Sequence, residues 1–299
     1  MNMLAPKGLL RDTALAPGEA PLSCHLVAVN CHPFHAPEDL MRCLRSLVPA
    51  MVAFRRAQPG PVSVRIFWHR PDDPPPALRL IAARAGLTLC RLPHKSNGAN
   101  LNAQIEFALR CGYDTFFRVD ADDTVRADRF PAQADLLAAD TCDLVGCALR
   151  YCQDGTTPYL TRVAEHPGPR DFVENRFLLH PTLAIRLAAL AETNLRYGCA
   201  RLEDKEFLLK AQKLGLRVRN LDVIGGDYFI GRGTRATLSA AWRGLRLNLA
   251  CIAAHREVGL LPYAVALFAA RVVIGPALLR RWRAGARRRG ARNKSGKFG

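Results

Sequence analysis

The chain has 299 residues, of which 49% are hydrophobic, and a formal net charge of +17 at pH 7. This length and apolar content suffice for a substantial core in one or two domains, which excludes a wholly disordered protein. Ten basic residues and no acidic residue lie from Arg271 onward, so residues 1–270 carry a formal charge of only +7.

In chain order, strands and helices alternate from residue 25 onward. Short apolar runs predict strands, and apolar residues three or four positions apart predict helices. The predicted strands cover residues 25–30, 62–68, 87–92 and 116–119, and the predicted helices between them cover 37–47, 77–85 and 100–110. This alternation predicts an α/β fold built on a parallel sheet.

The second half continues with helices predicted at 131–139, 203–214 and 234–257, strands at 143–151, 182–186 and 217–223, a loop at 155–169 and a glycine-rich loop at 225–233. Residues 260–279 are apolar except for Arg271 and contain the helix breakers Pro262, Gly275 and Pro276. We therefore expect a further C-terminal helix that is short for a membrane span.

The ends of the chain and its cysteines indicate the compartment. Residues 1–21 are rich in Pro, Gly and Ala and predict a disordered leader, and Lys7, Arg11 and Asp12 interrupt any apolar segment of the signal-peptide kind. The ten cysteines form no C-x-x-C pair and no Cys/His cluster with zinc spacing. These features favour the reducing cytoplasm and free thiols.

Three carboxylates, Asp120, Asp122 and Asp123, crowd into four positions directly after the strand predicted at 116–119. Carboxylates spaced this way are suited to holding a divalent cation, which can also bind a diphosphate. The carboxyl end of a strand is also where open α/β sheets bind ligands. The pattern therefore predicts chemistry on a phosphorylated substrate, and a solvated acidic turn is the alternative.

A second acidic pair, Glu203 and Asp204, opens the helix predicted at 203–214. Acids at a helix N-terminus complement the helix dipole and cap free N–H groups, so this pair alone predicts a cap. Combined with an upstream D-x-D sequence, one of these carboxylates can serve as a general base while a metal neutralises a leaving diphosphate.

These two motifs belong to a longer pattern that resembles family 2 glycosyltransferases, which have the GT-A fold. The resemblance covers roughly residues 25 to 230 in order. Its matching segments are Leu26-Val-Ala-Val-Asn30, Cys43-Leu-Arg-Ser-Leu47, Asn97-Gly98, Leu101-Asn102, Phe117-Arg-Val-Asp-Ala-Asp-Asp123, Asp128-Arg-Phe130, Gln133, Asp143-Leu-Val-Gly146, His180-Pro-Thr182 and Glu203-Asp204. It implies a Rossmann-like mixed sheet flanked by helices, with a C-terminal helical extension.

The resemblance also implies roles for the acidic residues. Asp120 and Asp122 would meet the nucleotide-sugar and its Mn²⁺ or Mg²⁺, with Asp122 the direct ligand and Asp123 in support. Asp204 would take the proton from the acceptor hydroxyl, and Glu203 would orient or contact the acceptor. The reaction would invert the anomeric carbon.

Further donor and acceptor residues follow from the same resemblance. On the donor side these are Asn30, Asn97, Gly98 and Asn102, with Arg232 in the glycine-rich loop as a residue that closes over the diphosphate, and His180 lies on the acceptor side. The family's Asp-Asp-Gly-Ser-like turn, which touches the nucleoside, is replaced here by Trp68-His-Arg-Pro-Asp72-Asp73-Pro-Pro-Pro. Asp72 or Asp73 fills that position, but the prolines leave the choice of a UDP-linked donor open.

Two other functional classes fit parts of the sequence. Asp120-Ala-Asp122-Asp-Thr124-Val125 also matches the D-x-D-x-T-V nucleophile pattern of haloacid-dehalogenase-like phosphatases. Such enzymes need a later acidic pair, and although Gly226-Asp227 begins like one, no acid occurs between residues 228 and 256. The pI of about 10.0 suggests nucleic-acid binding, but the basic residues are concentrated in one tail, with few aromatics among them.

The apolar segment followed by a basic tail fits an anionic membrane surface better than nucleic acid. We expect a leader at 1–21, a GT-A catalytic domain at 22–233, C-terminal helices at 234–283 with the last at the membrane interface, and a basic tail at 284–299. The predicted protein is a non-processive glycosyltransferase of cell-envelope polysaccharide synthesis. It would act on a saccharide or lipid-linked acceptor at the inner face of the plasma membrane.

Overall fold

A computed structural model describes residues 23–93, 95–153, 157–198, 200–230 and 237–273. These residues form eight strands, nine α-helices and two 3-10 turns. The strands are β1 His25–Cys31, β2 Val62–Trp68, β3 Thr88–Arg91, β4 Thr115–Asp120, β5 Leu144–Cys152, β6 Tyr159–Thr161, β7 Ala184–Arg186 and β8 Val218–Phe229. The helices are α1 Pro37–Ala57, α2 Pro76–Arg84, α3 Asn97–Arg110, α4 Arg129–Ala138, α5 Pro169–Val173, α6 Leu187–Thr193, α7 Glu203–Lys213, α8 Leu238–His255 and α9 Leu261–Val273, and the 3-10 turns are His180–Thr182 and Val258–Leu260.

The described strands make one mixed sheet in the order β3-β2-β1-β4-β7-β5-β6, and β8 also pairs with β5. Strands β3, β2, β1 and β4 are parallel, whereas β7 runs antiparallel to both β4 and β5. In this register Asn30 lies opposite Asp120. The parallel strands therefore bring their carboxyl ends to one edge of the sheet, where the D-x-D sequence begins.

The sheet is covered on both faces, which explains why every residue of β1 is buried. Leu26 and Ala28 pack into a core cluster with residues of α3, α6 and α7. Val27 and Val29 point the other way, into a second cluster with residues of α1 and α4. The alternation follows from the period of two along a strand, and it fixes β1 and β4 as a rigid platform for the site.

Strand β8 corrects the expectation of a glycine-rich loop at 225–233, because the strand continues to Phe229. The backbone N–H of Thr124 donates to the Asp227 carbonyl at 3.0 Å. A Cβ on Gly226 would lie 1.9 Å from the Thr124 carbonyl oxygen. Gly226 thus permits a close backbone contact with the turn after the D-x-D sequence and does not interrupt the strand.

Two smaller differences concern element bounds. The expected loop at 155–169 contains β6, which pairs with β5 through Tyr159 and Tyr151. Helix α1 runs to Ala57, ten residues beyond the predicted end at residue 47, and includes Pro49. Its buried residues continue through Phe54, so packing against the sheet extends the helix past the proline.

The C-terminal extension is a hairpin of α8 and α9. Leu245 and Ile252 of α8 pack with Ala264 and Leu267 of α9 and with Val173 of α5 in a small separate cluster. None of the helices in the described ranges is both long enough and apolar enough to cross a membrane. The predicted leader and basic tail lie outside the described residues.

Candidate active site

The D-x-D sequence forms a tight turn at the end of β4, and helix α1 holds that turn in place. The Asp123 N–H donates to the Asp120 carbonyl at 3.1 Å. From α1, Arg42 donates to the Asp122 carbonyl at 2.7 Å, and the Ser46 hydroxyl accepts from the Val125 N–H at 3.0 Å. The backbone of the turn is therefore held by Arg42 and Ser46 of α1 as well as by its own hydrogen bond.

Asp120 is paired with a cation from its own strand. Arg118 donates from Nε and Nη2 to the two carboxylate oxygens of Asp120, at 3.0 Å each. Both residues are buried. Burial alone raises the pKa of Asp120, but the Arg118 charge and hydrogen bonds outweigh it and lower that pKa below its usual value.

Asp122 and Asp123 are not compensated in this way. Burial and the Asp120 charge raise the pKa of both carboxyls. Asp122 Oδ1 lies 3.6 Å from His35 Nε2, and Asp123 Oδ1 accepts from the Phe229 N–H at 3.0 Å. Asp123 Oδ2 is buried and has no hydrogen-bond partner among the described residues.

A divalent cation fits this turn on chemical grounds, because two crowded carboxylates lack the positive charge that would stabilise their ionised forms. Asp122 is the most accessible of the three carboxylates, with 31% of its side chain accessible, so it would be the first protein ligand. Within the described residues, no three His, Cys, Asp or Glu side chains form a complete metal cage. Further ligands would then have to come from substrate oxygens or water.

The second acidic pair begins α7 after a strained residue. Leu202, immediately before Glu203, has φ 64° and ψ 34°, the left-handed conformation that is costly for a residue with a Cβ. Asp204 Oδ1 accepts from the N–H of Lys205 at 2.7 Å. The left-handed backbone at Leu202 sets the direction in which α7 begins, and thereby the positions of Glu203 and Asp204 in its first turn.

Helix α3 is joined to the segment before this acidic pair. Asn97 donates from Nδ2 to Glu203 Oε1 at 2.5 Å. Asn102 accepts from the Tyr197 N–H at 2.8 Å and donates to the Tyr197 carbonyl at 3.0 Å. A Cβ on Gly98 would lie 1.9 Å from the Gly198 carbonyl oxygen, so only glycine allows this approach. Three residues expected at the donor thus contact the segment that carries Glu203 and Asp204.

A cavity of about 750 Å³ connects the two acidic motifs. Asp120 and Arg118 line it from β4, and Glu203, Asp204 and Asn97 line it from the start of α7 and α3. Tyr151, Tyr159, Tyr228, Phe172, Lys205 and Arg271 are also in its wall. Residues far apart in the sequence therefore face a single space that is large enough for a sugar and an acceptor.

His180 lies between Arg118 of β4 and Tyr197, and it contacts both residues. Its Nδ1 lies within hydrogen-bond distance of Arg118 Nη1, and its Nε2 lies 2.7 Å from the Tyr197 hydroxyl oxygen. The Tyr197 ring stacks on Phe207 of α7 with centroids 4.1 Å apart. Burial and the Arg118 charge place the pKa of His180 well below its usual value, so the ring is neutral.

Among the predicted residues that the structure describes, several do not line this cavity, namely Asn30, Asp72, Asp73, Gly98, Asn102, Asp122 and Asp123. Asn30 is fully buried beside it and accepts from Gln104 at 2.9 Å. Asp72 pairs with Arg70 at 3.0 Å, and Asp73 pairs with Arg91 at 2.5 Å, on the exposed loop after β2. Arg232 lies outside the described residues.

The motifs did not reveal several residues that shape the site. Arg118 and Tyr197 were not predicted as site residues, although a charged residue between Phe117 and Val119 of strand β4 was a usable signal. His32 and His69 are buried at the ends of β1 and β2, where His32 Nε2 lies 2.8 Å from Asn97 Oδ1. Burial lowers the pKa of His32 to about 3, so it is a neutral member of this network.

Comparisons of the sequence with protein-family models and with curated proteins find no match. Comparison of the structure with solved structures finds matches. Residues 1–349 of S. aureus TarS, solved in complexes with UDP and with UDP-GlcNAc, match with TM-scores of 0.55 and 0.56 at 15% and 16% identity. The match covers 76% of this chain and 65% and 66% of those chains.

The mannosyltransferase PcManGT from Pyrobaculum calidifontis, in complex with GDP-Man and Mn²⁺, matches with a TM-score of 0.50 at 15% identity. That match covers 88% of this chain and 79% of the other. The fold is of the GT-A type. This agrees with the resemblance seen in the sequence, and the mixed sheet flanked by helices is confirmed.

Proposed function

We propose that the protein is a metal-dependent glycosyltransferase that moves one sugar from a nucleotide-sugar to an acceptor hydroxyl with inversion. The observation that carries the proposal is the single cavity lined by Asp120 of the D-x-D turn and by Glu203 and Asp204. The GT-A-type neighbours, solved with UDP, UDP-GlcNAc and GDP-Man, support a nucleotide-sugar as the donor. We propose a UDP-linked donor, with GDP-linked sugars as the class to test beside it.

In this proposal Asp204 is the general base that takes the proton from the attacking acceptor hydroxyl. Glu203, held by Asn97, orients that hydroxyl. A hydroxyl that attacks the anomeric carbon from the face opposite the leaving diphosphate inverts the centre, and one base suffices for this single displacement. Arg118, which lines the same cavity, adds a fixed positive charge near the reacting groups.

Mn²⁺ or Mg²⁺ would be held by Asp122, with Asp120 beside it and Asp123 in support. The cation would supply positive charge to the leaving diphosphate. On the donor side we keep Asn30, Asn97, Gly98 and Asn102. Asp72 or Asp73 would contact the nucleoside, and Arg232 would close over the diphosphate. His180 contributes on the acceptor side through Arg118 and Tyr197.

Two observations disfavour the phosphatase alternative. Asp120, its required nucleophile, is committed to Arg118. Asp227, the acid that began its later metal-binding pair, forms an ion pair with Arg150 at 2.6 Å. The GT-A-type fold also supports the transferase.

The proposed setting is cell-envelope polysaccharide synthesis, with a saccharide or lipid-linked acceptor. The basic tail makes an anionic membrane surface the preferred partner, and nucleic acid is not proposed as a partner. We place the protein in the cytoplasm at the inner face of the plasma membrane. The sequence lacks the Q-x-x-R-W text of processive relatives, so we propose that one sugar is added per encounter.

A nucleotide-sugar screen tests this proposal. UDP-GlcNAc, UDP-glucose and GDP-mannose would be added to the full chain with and without Mn²⁺, and the melting temperature measured. A bound ligand stabilises the folded state by mass action, by about 2.7 kcal/mol at a hundredfold excess over Kd. We expect one nucleotide class to stabilise the protein only when Mn²⁺ is present. If no nucleotide-sugar stabilises it under either condition, the proposed function is wrong.

A further inference from the structure

Helix α9 has an apolar surface that the described residues do not cover. Its sequence, LPYAVALFAARVV, contains a single charged residue, Arg271. Ala264 and Leu267 are buried against α8. Leu261, Val265 and Val272 are exposed. Val265 and Val272 lie four and eleven positions after Leu261, which places all three on one side of the helix. A helix that is apolar on all sides and covered on one side only has an interaction surface on the other.

Helix α8 extends this surface. Leu238 and Trp242 are four positions apart at its start, and both are more than half exposed, at 59% and 52%. The Trp242 ring packs against Phe268 of α9, with centroids 4.6 Å apart. We call the set Leu238, Trp242, Leu261, Val265 and Val272 the hairpin face. It combines aliphatic residues with a tryptophan, a composition typical of interfacial helices.

The hairpin face lies next to the cavity. The cavity wall includes Ala240, Ala241 and Arg271. Exposed apolar residues lie beside them in the sequence, because Trp242 directly follows Ala241 and Val272 directly follows Arg271. The two helices therefore present one side to the cavity and another to the outside. Whatever covers the hairpin face is held close to the space assigned to the acceptor.

The charge of the chain indicates which partner covers the hairpin face. Residues 274–299, which follow α9 directly, contain nine basic residues and no acid. A second copy would bring a like charge of +17 against this one, whereas an anionic lipid surface is complementary to it. A helical hairpin that is packed on one side and apolar on the other would lie in the plane of the surface.

We propose that the hairpin face docks the protein on an anionic lipid bilayer and thereby holds the mouth of the cavity at the lipid surface. The docking rests on the hairpin itself; only the statement that a membrane-borne acceptor then reaches Asp204 rests on the proposed function. Apolar insertion and basic charge act together, so binding has a part that resists salt and a part that does not.

The test uses the full chain and vesicles of phosphatidylcholine with and without phosphatidylglycerol, in a co-sedimentation assay. Val265→Asp places a charge on the hairpin face, and Val52→Asp is the matched control, because Val52 is a helical valine of α1 with nearly the same exposure, 44% against 48%. Arg287→Gln, Arg288→Gln and Arg289→Gln together reduce the tail charge. Salt is varied from roughly 0.15 M to roughly 1 M, where the screening length falls from about 8 Å to about 3 Å.

We expect Val265→Asp to weaken binding to phosphatidylglycerol vesicles at least about tenfold, and Val52→Asp to change it less than about twofold. The triple glutamine variant should lose binding mainly at low salt. Binding by Val265→Asp equal to that of the unmodified chain, or complete release of the unmodified chain at high salt, would overturn the proposal. So would a concentration-dependent dimer that Val265→Asp dissociates while vesicle binding is absent.

Binding of UDP and of GDP in Mn²⁺, measured by calorimetry on the same proteins without vesicles, separates the two proposals. Val265→Asp should bind UDP as the unmodified chain does. If vesicle binding fails while UDP still binds, the hairpin proposal alone is wrong. If neither UDP nor GDP binds to any of the proteins, the proposed function is wrong, whatever the vesicles show.

Discussion

Arg118 and Asp120 lie two positions apart on β4, on the same side of the strand, and form a buried ion pair with two hydrogen bonds of 3.0 Å. Two-point pairing of a guanidinium with a carboxylate fixes both groups in one orientation. The first carboxylate of the D-x-D sequence therefore has a permanent counter-charge, while the ion pair of Asp122 among the described residues is with His35, at 3.6 Å. Because of this asymmetry, we expect changes at Asp122 to affect metal-dependent binding and changes at the Arg118–Asp120 pair to affect the stability of the fold.

Asp122→Asn should abolish Mn²⁺-dependent nucleotide binding and leave the melting temperature of the unliganded protein nearly unchanged. The residue is partly exposed, and the turn is held through its backbone by the Asp123 N–H and by Arg42. Calorimetry with UDP and GDP in Mn²⁺ measures the binding. Asp222→Asn is the control, because Asp222 is an exposed aspartate in an ion pair with Arg162 away from the cavity. Unchanged nucleotide affinity in Asp122→Asn would refute the metal assignment.

Arg118→Met should destabilise the fold by about 3–5 kcal/mol, because it leaves the Asp120 carboxylate buried without its partner. The double variant Arg118→Met with Asp120→Asn should recover part of that loss, since no charge is then left unpaired. Urea denaturation of the three proteins measures the free energies of unfolding. Equal destabilisation in the single and double variants would mean that packing, not the ion pair, explains the effect.

Asp204→Asn should lower turnover roughly a hundredfold or more and keep nucleotide binding, as expected when a general base is removed. Glu206→Gln is the control on the same turn of α7, since Glu206 pairs with Lys210 at 3.0 Å and does not line the cavity. Initial rates and calorimetry on both variants separate chemistry from binding. If Asp204→Asn transfers sugar at the same rate as Glu206→Gln, Asp204 is a helix cap and not the base.

Asp143 should make the fold sensitive to acid. Burial alone raises its pKa, but hydrogen bonds from Arg217 and Arg186 and the Arg217 N–H outweigh it and lower the pKa to about 2. A lowered folded-state pKa means that the stabilisation is complete above the unfolded value near 4 and is lost as pH falls toward about 2. Allowing for the partly exposed arginines, we expect about 1–2 kcal/mol of stability to be lost across this window.

Denaturation of Asp143→Asn between pH 6 and pH 2 measures this contribution. The variant should be less stable than the unmodified chain at pH 6, and the difference should shrink as pH falls through the window. Asp222→Asn, whose residue is exposed, should follow the unmodified chain at every pH. A difference for Asp143→Asn that stays constant down to pH 2 would exclude this linkage.

The sequence by itself predicted the alternation of strands and helices and the GT-A-type fold, and the structure confirms both. The alternation is encoded locally, because apolar periodicity reports which side of each element is buried. The GT-A-type fold was implied by the resemblance of the motifs to those of family 2 glycosyltransferases. The bounds of β8 were predicted less well, because the glycines at 225 and 226 read as a loop. Only the contact of Gly226 with Thr124 reveals that they serve close strand packing.

The sequence also predicted the carboxylates of both motifs as candidate site residues, since acidic residues after a strand and at the start of a helix are visible in one dimension. Only the tertiary structure shows which side chains surround these carboxylates. Arg118, His180 and Tyr197 form their hydrogen bonds across elements that are far apart in the chain. No periodicity records which side chain will meet another in three dimensions, because that depends on the order of strands in the sheet. For the same reason, the common cavity of Asp120 and Asp204 became evident only once the sheet had brought β4 and α7 together.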